Sequence, residues 1–217
     1  MANILETFTV NSLQLGKAFK IDLAEGLDTV HLDFMEAQWA PAMKRQYDLA
    51  LLDFFQLPVS EQTLEKEIET LAKFDVQDHH WVWRKKCAIA PGHKGRIFSL
   101  LNASEVEAAM MLLVGKSSRH PSTSLPLVYV DFVAIAPWNR KAFQSPRRFR
   151  NLGTIMIGAA VELSRTLGWD GRCGLHSLPQ SVGFYRHIGM RDFGLDPAKP
   201  LLRYFEFDAP AAQKFRK

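Results

Sequence analysis

Arg140, Lys141, Arg147, Arg148 and Arg150 fall within eleven residues, and no Asp or Glu occurs between Asp131 and Glu162. Just past this basic run, Gly153 stands at the head of a stretch with apolar residues at Leu152, Ile155, Met156, Ala159, Leu163 and Leu167. That is the spacing of one helical face. A helix start presents unpaired backbone N–H groups and the positive end of the helix dipole. A glycine there lets a ligand approach the backbone where a side chain would block it. Basic loop, glycine and helix start together describe a site for a polyanion, most simply a diphosphate. A second chemical group is Asp131, a carboxylate inside an apolar run. Strand side chains alternate, so Tyr129, Asp131, Val133 and Ile135 are expected to share a face. If that face borders a cleft, Asp131 can deprotonate an amine directly or through water, its pKa raised by desolvation. The plain alternative is an acid paired with a nearby Arg or exposed at the strand flank.

The elements around these groups follow from pattern. Val128 to Ile135 is rich in β-branched and aromatic residues and predicts a buried strand. Pro137 and Asn139 end it. Cys173 to Leu178 supplies the next strand after the long helix. Upstream, Leu5 to Val10 alternates and predicts an opening strand. Asp28 to Phe55 is helix-forming, with Pro41 expected to break or kink it. Ser60 is the expected N-cap of a Glu-rich helix ending near Lys73. Asp75 to His80 reads as a polar loop, with Trp81 to Ile89 and Ile97 to Leu101 as strands about a Pro91-Gly92 turn. Glu105 to Val114 predicts a further strand, though its composition also allows a helix. Residues 115–124 read as a polar connection.

Pro137-Trp138-Asn139-Arg140, followed by Arg150-Asn151-Leu152-Gly153-Thr154, resembles the acetyl-CoA-binding segment of the GNAT superfamily of N-acetyltransferases. That segment carries Arg/Gln-x-x-Gly-x-Gly/Ala at the start of the main helix. Arg150 and Gly153 match, whereas Ile155 stands where the last small residue is expected, and the loop from Lys141 to Phe149 is longer than the family pattern. Downstream, Gly183-Phe184-Tyr185-Arg186-His187-Ile188-Gly189-Met190 resembles the family's F-Y-x-x-x-G-F segment. The likeness spans Leu125 to Asp208, and the order of elements agrees with it.

The resemblance implies an α/β fold with a mixed, splayed central β-sheet flanked by helices on both faces. It implies one domain over 1–217, with a variable acceptor-side half at 1–124 and an acetyl-CoA-binding half at 125–208. The implied activity is N-acetyl transfer from acetyl-CoA, as cosubstrate, to a primary amine by direct attack. Carried over by position, the backbone of Val133, Ala134 and Ile135 receives the pantetheine arm. Arg150 and Gly153, with the N–H groups of the helix start around Asn151, Leu152 and Thr154, hold the diphosphate. Arg147 and Arg148 meet the ribose phosphate, and Gln180 or Ser181 contacts the pantetheine. Tyr185 sits where many members keep the tyrosine that protonates the departing thiolate, a role that suits a phenol at neutral pH. The plain alternative for Tyr185 is packing between a short helix and the sheet. Asp131 is the candidate base, although Tyr129 lies nearer the place where some members carry a glutamate.

Composition sets the outer bounds. With 217 residues and 47% apolar content, the chain is long enough for a sizeable core. No stretch has the length of a membrane span, and the first ten residues lack the layout of a secretory signal. Two cysteines are too few for a disulfide scaffold, so a cytoplasmic setting is expected. Adjacent His79 and His80 have no third ligand at suitable spacing, so no metal is expected. His176 and Cys173 read as packed core residues. Two other functions stay open: an acetyltransferase acting on charged tRNA, whose backbone the basic loop would grip, and a non-catalytic acyl-CoA-binding module of the same fold. The extra amino-terminal helices leave a homodimer open as well.

Overall fold

A computed structural model describes residues 2–118 and 125–215. Its strands are β1 (Asn3–Asn11), β2 (Ala18–Glu25), β3 (Gly95–Asn102), β4 (Glu105–Ser117), β5 (Pro126–Ile135), β6 (Cys173–Ser177), β7 (Arg191–Asp196) and β8 (Lys199–Phe207). They form one mixed sheet in the order β1-β2-β3-β4-β5-β6-β8-β7. The β5–β6 pairing is parallel and the others are antiparallel. Two parallel neighbours need a crossover, and helix α5 (Leu152–Thr166) provides it. The remaining helices are α1 (Thr29–Phe34), α2 (Ala40–Phe55), α3 (Leu64–Lys73), α4 (Trp83–Ile89), α6 (Val182–His187) and α7 (Ala209–Lys214).

Helices cover both faces of the sheet. On one, Leu152, Ile155, Met156 and Ala159 of α5 pack with Val128, Val130, Leu175, Phe205 and Phe207. Each large side chain fully buried there contributes about 1.5–3 kcal/mol, so α5 is pinned by its contacts rather than by propensity. On the other face, Leu32, Met35, Trp39 and Trp83 pack on Ala24, Leu101, Val106, Ala109 and Ala134. Among the described residues, no helix is long and apolar enough to cross a membrane. Cys87 and Cys173 are free thiols.

The amino-terminal half departs from the sequence pattern in several places. Trp81 to Ile89 is not a strand; its last seven residues are α4, which buries Trp83 and Lys86 one turn apart. The run WVWRKKCAI mixes both periodicities, and packing of the three-residue spacing decides for helix. Pro41 does not break the helix. The chain stays helical from α1 through a π-helical turn, Met35–Trp39, into α2, whose second residue is the proline. The N-cap of α3 is Thr63, whose hydroxyl accepts from the Lys66 N–H, while Ser60 lies in a separate 3₁₀ turn. Strand β2 has no counterpart in the sequence reading, and β7 and β8 close the chain's part of the sheet as an antiparallel hairpin. Residues 115–117 of the expected connection belong to β4, and 119–124 lie outside the described residues.

The most consequential difference lies at Asp131. Met111 pairs with Phe132 and Leu112 with Val130, so Asp131 is an extra residue with no partner on β4, a β-bulge. Strict alternation fails there. Val130 and Val133 both face the α5 side, and the expected common face of Tyr129, Asp131, Val133 and Ile135 does not exist.

Candidate functional site

The parallel pairing of β5 with β6 lasts only three residues, Val128–Cys173, Tyr129–Gly174 and Val130–Leu175. Beyond it β6 follows β8 while β5 follows β4, so the two strands splay apart from Asp131 onward. A cavity of about 410 Å³ opens beside the splay. Val133, Ala134 and Ile135 line it from β5, Asn151, Leu152, Gly153 and Thr154 from the start of α5, and Ser181, Phe184, Tyr185 and His187 from α6 and the turn before it. Arg147 lines it from the basic loop.

The start of α5 is built for an incoming acceptor of hydrogen bonds. Asn151 is the N-cap with a left-handed φ of 64°, and its side chain makes no cap bond. The Ile155 N–H returns to the Asn151 carbonyl. The N–H groups of Leu152, Gly153 and Thr154 therefore point out of the helix end into the cavity wall. Gly153 has a further reason to lack a side chain. A Cβ there would lie 3.1 Å from Cζ of Phe184, so the glycine lets the ring of α6 close on α5.

The basic loop is partly neutralised from within. Arg140 is buried and forms a bidentate pair with buried Asp78, at 2.7 and 2.6 Å. It also donates to the carbonyls of Ile135 (3.0 Å) and Asp75 (2.9 Å), tying the end of β5 to the 75–78 turn. The guanidinium holds the Asp78 carboxyl below the usual carboxylate range against the opposing effect of burial. Gln180 is engaged too: its amide contacts Asp78 at 3.3 Å, and it exchanges two bonds with Gln77. That leaves Ser181 as the polar side chain in this turn that faces the cavity without a partner among the described residues.

Arg148, expected at the ribose phosphate, pairs instead with Glu105 and with Glu107, whose Oε1 lies 2.9 Å away. Glu107 is wholly buried, accepts from Trp138 Nε1 and Asn139 Nδ2, and has its pKa pushed up chiefly by burial. Asn139 also accepts from the Phe149 N–H at 2.9 Å, which closes the base of the loop. Arg148 and Arg150 do not line the cavity, and Arg150 is exposed. Of the five basic residues, Arg147 alone borders the cavity with no side-chain hydrogen bond or ion pair among the described residues, though its charge acts on Asp75 in the same wall, whose pKa burial raises.

Tyr185 stands where two spaces meet. It lines the large cavity and also a crevice of about 20 Å³ with Asp131, Val133, His176, Ser181 and Trp81. That is room for a single water. Tyr185 is 5% exposed, and burial first, then the neighbouring Cys173 and Asp78, pushes its phenol up, so it stays protonated far above neutrality. Asp131 reaches this crevice because the bulge turns it out of the alternation. His176 is bonded to Tyr129 (2.6 Å) and Asp196 (2.7 Å), a hydrogen-bonded core residue.

The residues that sequence reasoning missed are Asp78 and the tryptophans beyond it. Asp78 sits in a stretch read as solvated loop, and its partner Arg140 is 62 residues away, a pairing that no local pattern displays. A second cavity, about 170 Å³, lies across the Arg140–Asp78 pair and shares Ala134 with the first. Its walls include Trp39, Trp81 and Trp83.

No family model matches the chain, and no curated protein matches it in sequence. Several solved structures resemble it. The PaiA N-acetyltransferase from Thermoplasma acidophilum in complex with coenzyme A is 11% identical, with 86% of this chain and 97% of that one covered and a TM-score of 0.49. A GNAT-family acetyltransferase from Listeria monocytogenes is 13% identical over 92% and 99% of the two chains, with a TM-score of 0.45. A bacterial toxin is 10% identical over 63% and 79%, with a TM-score of 0.49. Likeness at this level concerns the path of the chain and bears on neither substrate nor residue roles.

Proposed function

We infer that the chain is an N-acetyltransferase that passes acetyl from acetyl-CoA to a primary amine by direct attack. The observation that carries this reading is the splay of β5 from β6, with the start of α5 and the buried Tyr185 both on the walls of the resulting cavity. In this reading residues 1–124 shape the acceptor side and 125–208 the donor side. Acetyl-CoA supplies an activated acyl carbon. The residues present suit it: a cavity wide enough for an extended arm, outward N–H groups of Leu152 to Thr154 with Arg147 for the diphosphate, and strand backbone at Val133 to Ile135 for the amide-bearing arm.

The chemistry assigns one proton transfer to each of two side chains of the shared crevice, Tyr185 and Asp131. The amine nitrogen forms a bond to the acyl carbon as the carbon–sulfur bond breaks, and the nitrogen must shed a proton while the sulfur gains one. Tyr185 holds the second proton, because its raised pKa keeps the phenol a donor at working pH. Asp131 takes the first, through the single water that the shared crevice admits. Placing the reacting atoms side by side accounts for most of the remaining acceleration.

The test is calorimetric titration with acetyl-CoA and CoA, joined to turnover of Tyr185→Phe. Micromolar binding is expected for wild type and variant alike, with turnover at saturating acetyl-CoA lowered about 100-fold in the variant. Because the phenol is pushed up, wild-type turnover should show no descending limb before about pH 10. Unchanged turnover would take Tyr185 out of the mechanism, and absence of CoA binding would end the reading altogether.

A further inference from the structure

The second cavity is unused by the donor side. Its floor is apolar: Leu32 and Met35 from α1 and the π turn, Trp39 and Met43 continuing into α2, and Trp83 opening α4. Trp81 stands between this cavity and the crevice that holds Asp131, and so borders both. Three of the chain's five tryptophans meet here, all from the half of the molecule outside the acetyl-CoA-like motifs.

The charged groups of this cavity are already engaged with one another. Arg84 at the mouth is paired with Glu36 and Asp33. Asp78 and Arg140 saturate each other in the wall. The His79 ring stacks on Tyr47 with centroids 3.8 Å apart, and its Nδ1 faces the Val76 carbonyl. His80 is held below the ordinary histidine range, chiefly by burial. The space thus presents aromatic faces and no unmatched charge that would recruit a phosphate or a second ammonium. Its volume, about 170 Å³, is close to the roughly 150 Å³ of an engineered apolar cavity that accommodates benzene.

We propose that this cavity holds the apolar body of the acceptor, a single aromatic ring or a group of that size, carried by an amine that reaches past Ala134 to the acyl carbon. The proposal rests on the acetyltransferase reading above and names its substrate class. Aromatic walls recognise a ring by area and by edge-to-face contact, which three indoles supply. A short linker between ring and nitrogen is required, because the same three residues, Asp78, Ala134 and Arg140, line both cavities, and of these Ala134 is the small one past which an amine can reach.

The experiment has three arms. With acetyl-CoA fixed, 2-phenylethylamine should be used with kcat/KM at least about tenfold above that for n-propylamine, spermidine or lysine. With the amine fixed, lengthening the acyl chain of the donor should bring no gain; a preference for longer acyl groups in place of aromatic amines would assign the cavity to the donor and overturn the proposal. In the third arm Ala40→Trp fills the mouth from an exposed helix position. It should weaken binding of 2-phenylethylamine alone at least about tenfold, measured by ligand-detected NMR, while leaving the calorimetric affinity for acetyl-CoA as it was. Equal binding by variant and wild type, or no binding by either, overturns the proposal while acetyl-CoA binding leaves the acetyltransferase reading standing. Failure to bind acetyl-CoA with the aromatic amine still bound, and lost in Ala40→Trp, would sink only the acetyltransferase reading.

Discussion

Replacing Arg140 by Met should cost this protein a large part of its stability, and the loss should depend on pH in a defined direction. Arg140 is 4% exposed and makes four donated bonds, two to the Asp78 carboxylate and one each to the carbonyls of Ile135 and Asp75. Methionine fills much of the same volume and leaves Asp78, 6% exposed, as an uncompensated buried charge. Breaking a buried pair from one side costs about 3–5 kcal/mol. For a chain of this length each kcal/mol moves Tm by about 2–4 °C, so a fall of roughly 6–20 °C is expected. In the wild type the folded pKa of Asp78 is lowered, so the pair's contribution is present above the unfolded value near 3.9 and disappears as pH falls through the folded value. In the variant, burial without a partner raises that pKa, and protonation relieves the penalty as pH drops. The gap between the two proteins should therefore be widest at pH 7 and narrow by pH 4.5. Urea denaturation followed by tryptophan fluorescence at both pH values measures it. The double variant Arg140→Met, Asp78→Leu should recover most of the loss. A single-variant loss under 1 kcal/mol, an equal loss at both pH values, or a double variant as unstable as the sum of the singles would refute the reasoning.

Two other substitutions separate charges that hold the fold from charges that meet a ligand. Arg148→Ala should destabilise by about 1–3 kcal/mol, because it strips the cationic partner from buried Glu107, yet change acetyl-CoA affinity less than twofold. Arg147→Ala should do the reverse, weakening calorimetric affinity at least about fivefold with little change in stability, a fall that shrinks at high salt. Lys86 is a cation buried in the amino-terminal half: its Nζ lies 3.0 Å from the Phe132 ring centroid and 4.7 Å from that of Trp81, and burial holds its pKa down to about 8. A lysine lowered on folding is a stability cost below pH 8 that fades as pH rises towards the unfolded value near 10.4. Lys86→Met should thus be stabilising by at least about 1 kcal/mol at pH 7 and near neutral at pH 10 in urea denaturation; a variant weaker than wild type at both values would contradict this.

Much of the stretch from β5 to α6 was legible because its signals are local. A β-branched run, a Pro137 to Asn139 exit, a basic loop and a helical stripe from Leu152 each depend on residues a few positions apart, and backbone geometry turns such spacing into structure directly. The positions of Val133 to Ile135, of Asn151 to Thr154 and of Tyr185 around one cavity follow from that order once α5 crosses over. Local signals carried less of the amino-terminal half. In Trp81 to Ile89 two periodicities compete, and only contacts with the sheet choose between them.

What the sequence determined alone is the succession of elements from β5 through α5 and β6 to α6, and the chemical character of each stretch there. What tertiary structure decided is which charges remain available and where the side chains aim. Five basic residues in one loop look alike in sequence, yet Arg140 is bound to Asp78, Arg148 to Glu105 and Glu107, and Arg147 is left for the cavity. Asp131 reached the splay by a bulge, a two-against-one pairing that belongs to two strands and is written in neither. The aromatic cavity exists only because helices distant in sequence converge on β5. Burial of an ion pair and closure of a cavity are sums over neighbours brought together by folding, and no window of adjacent residues contains those neighbours.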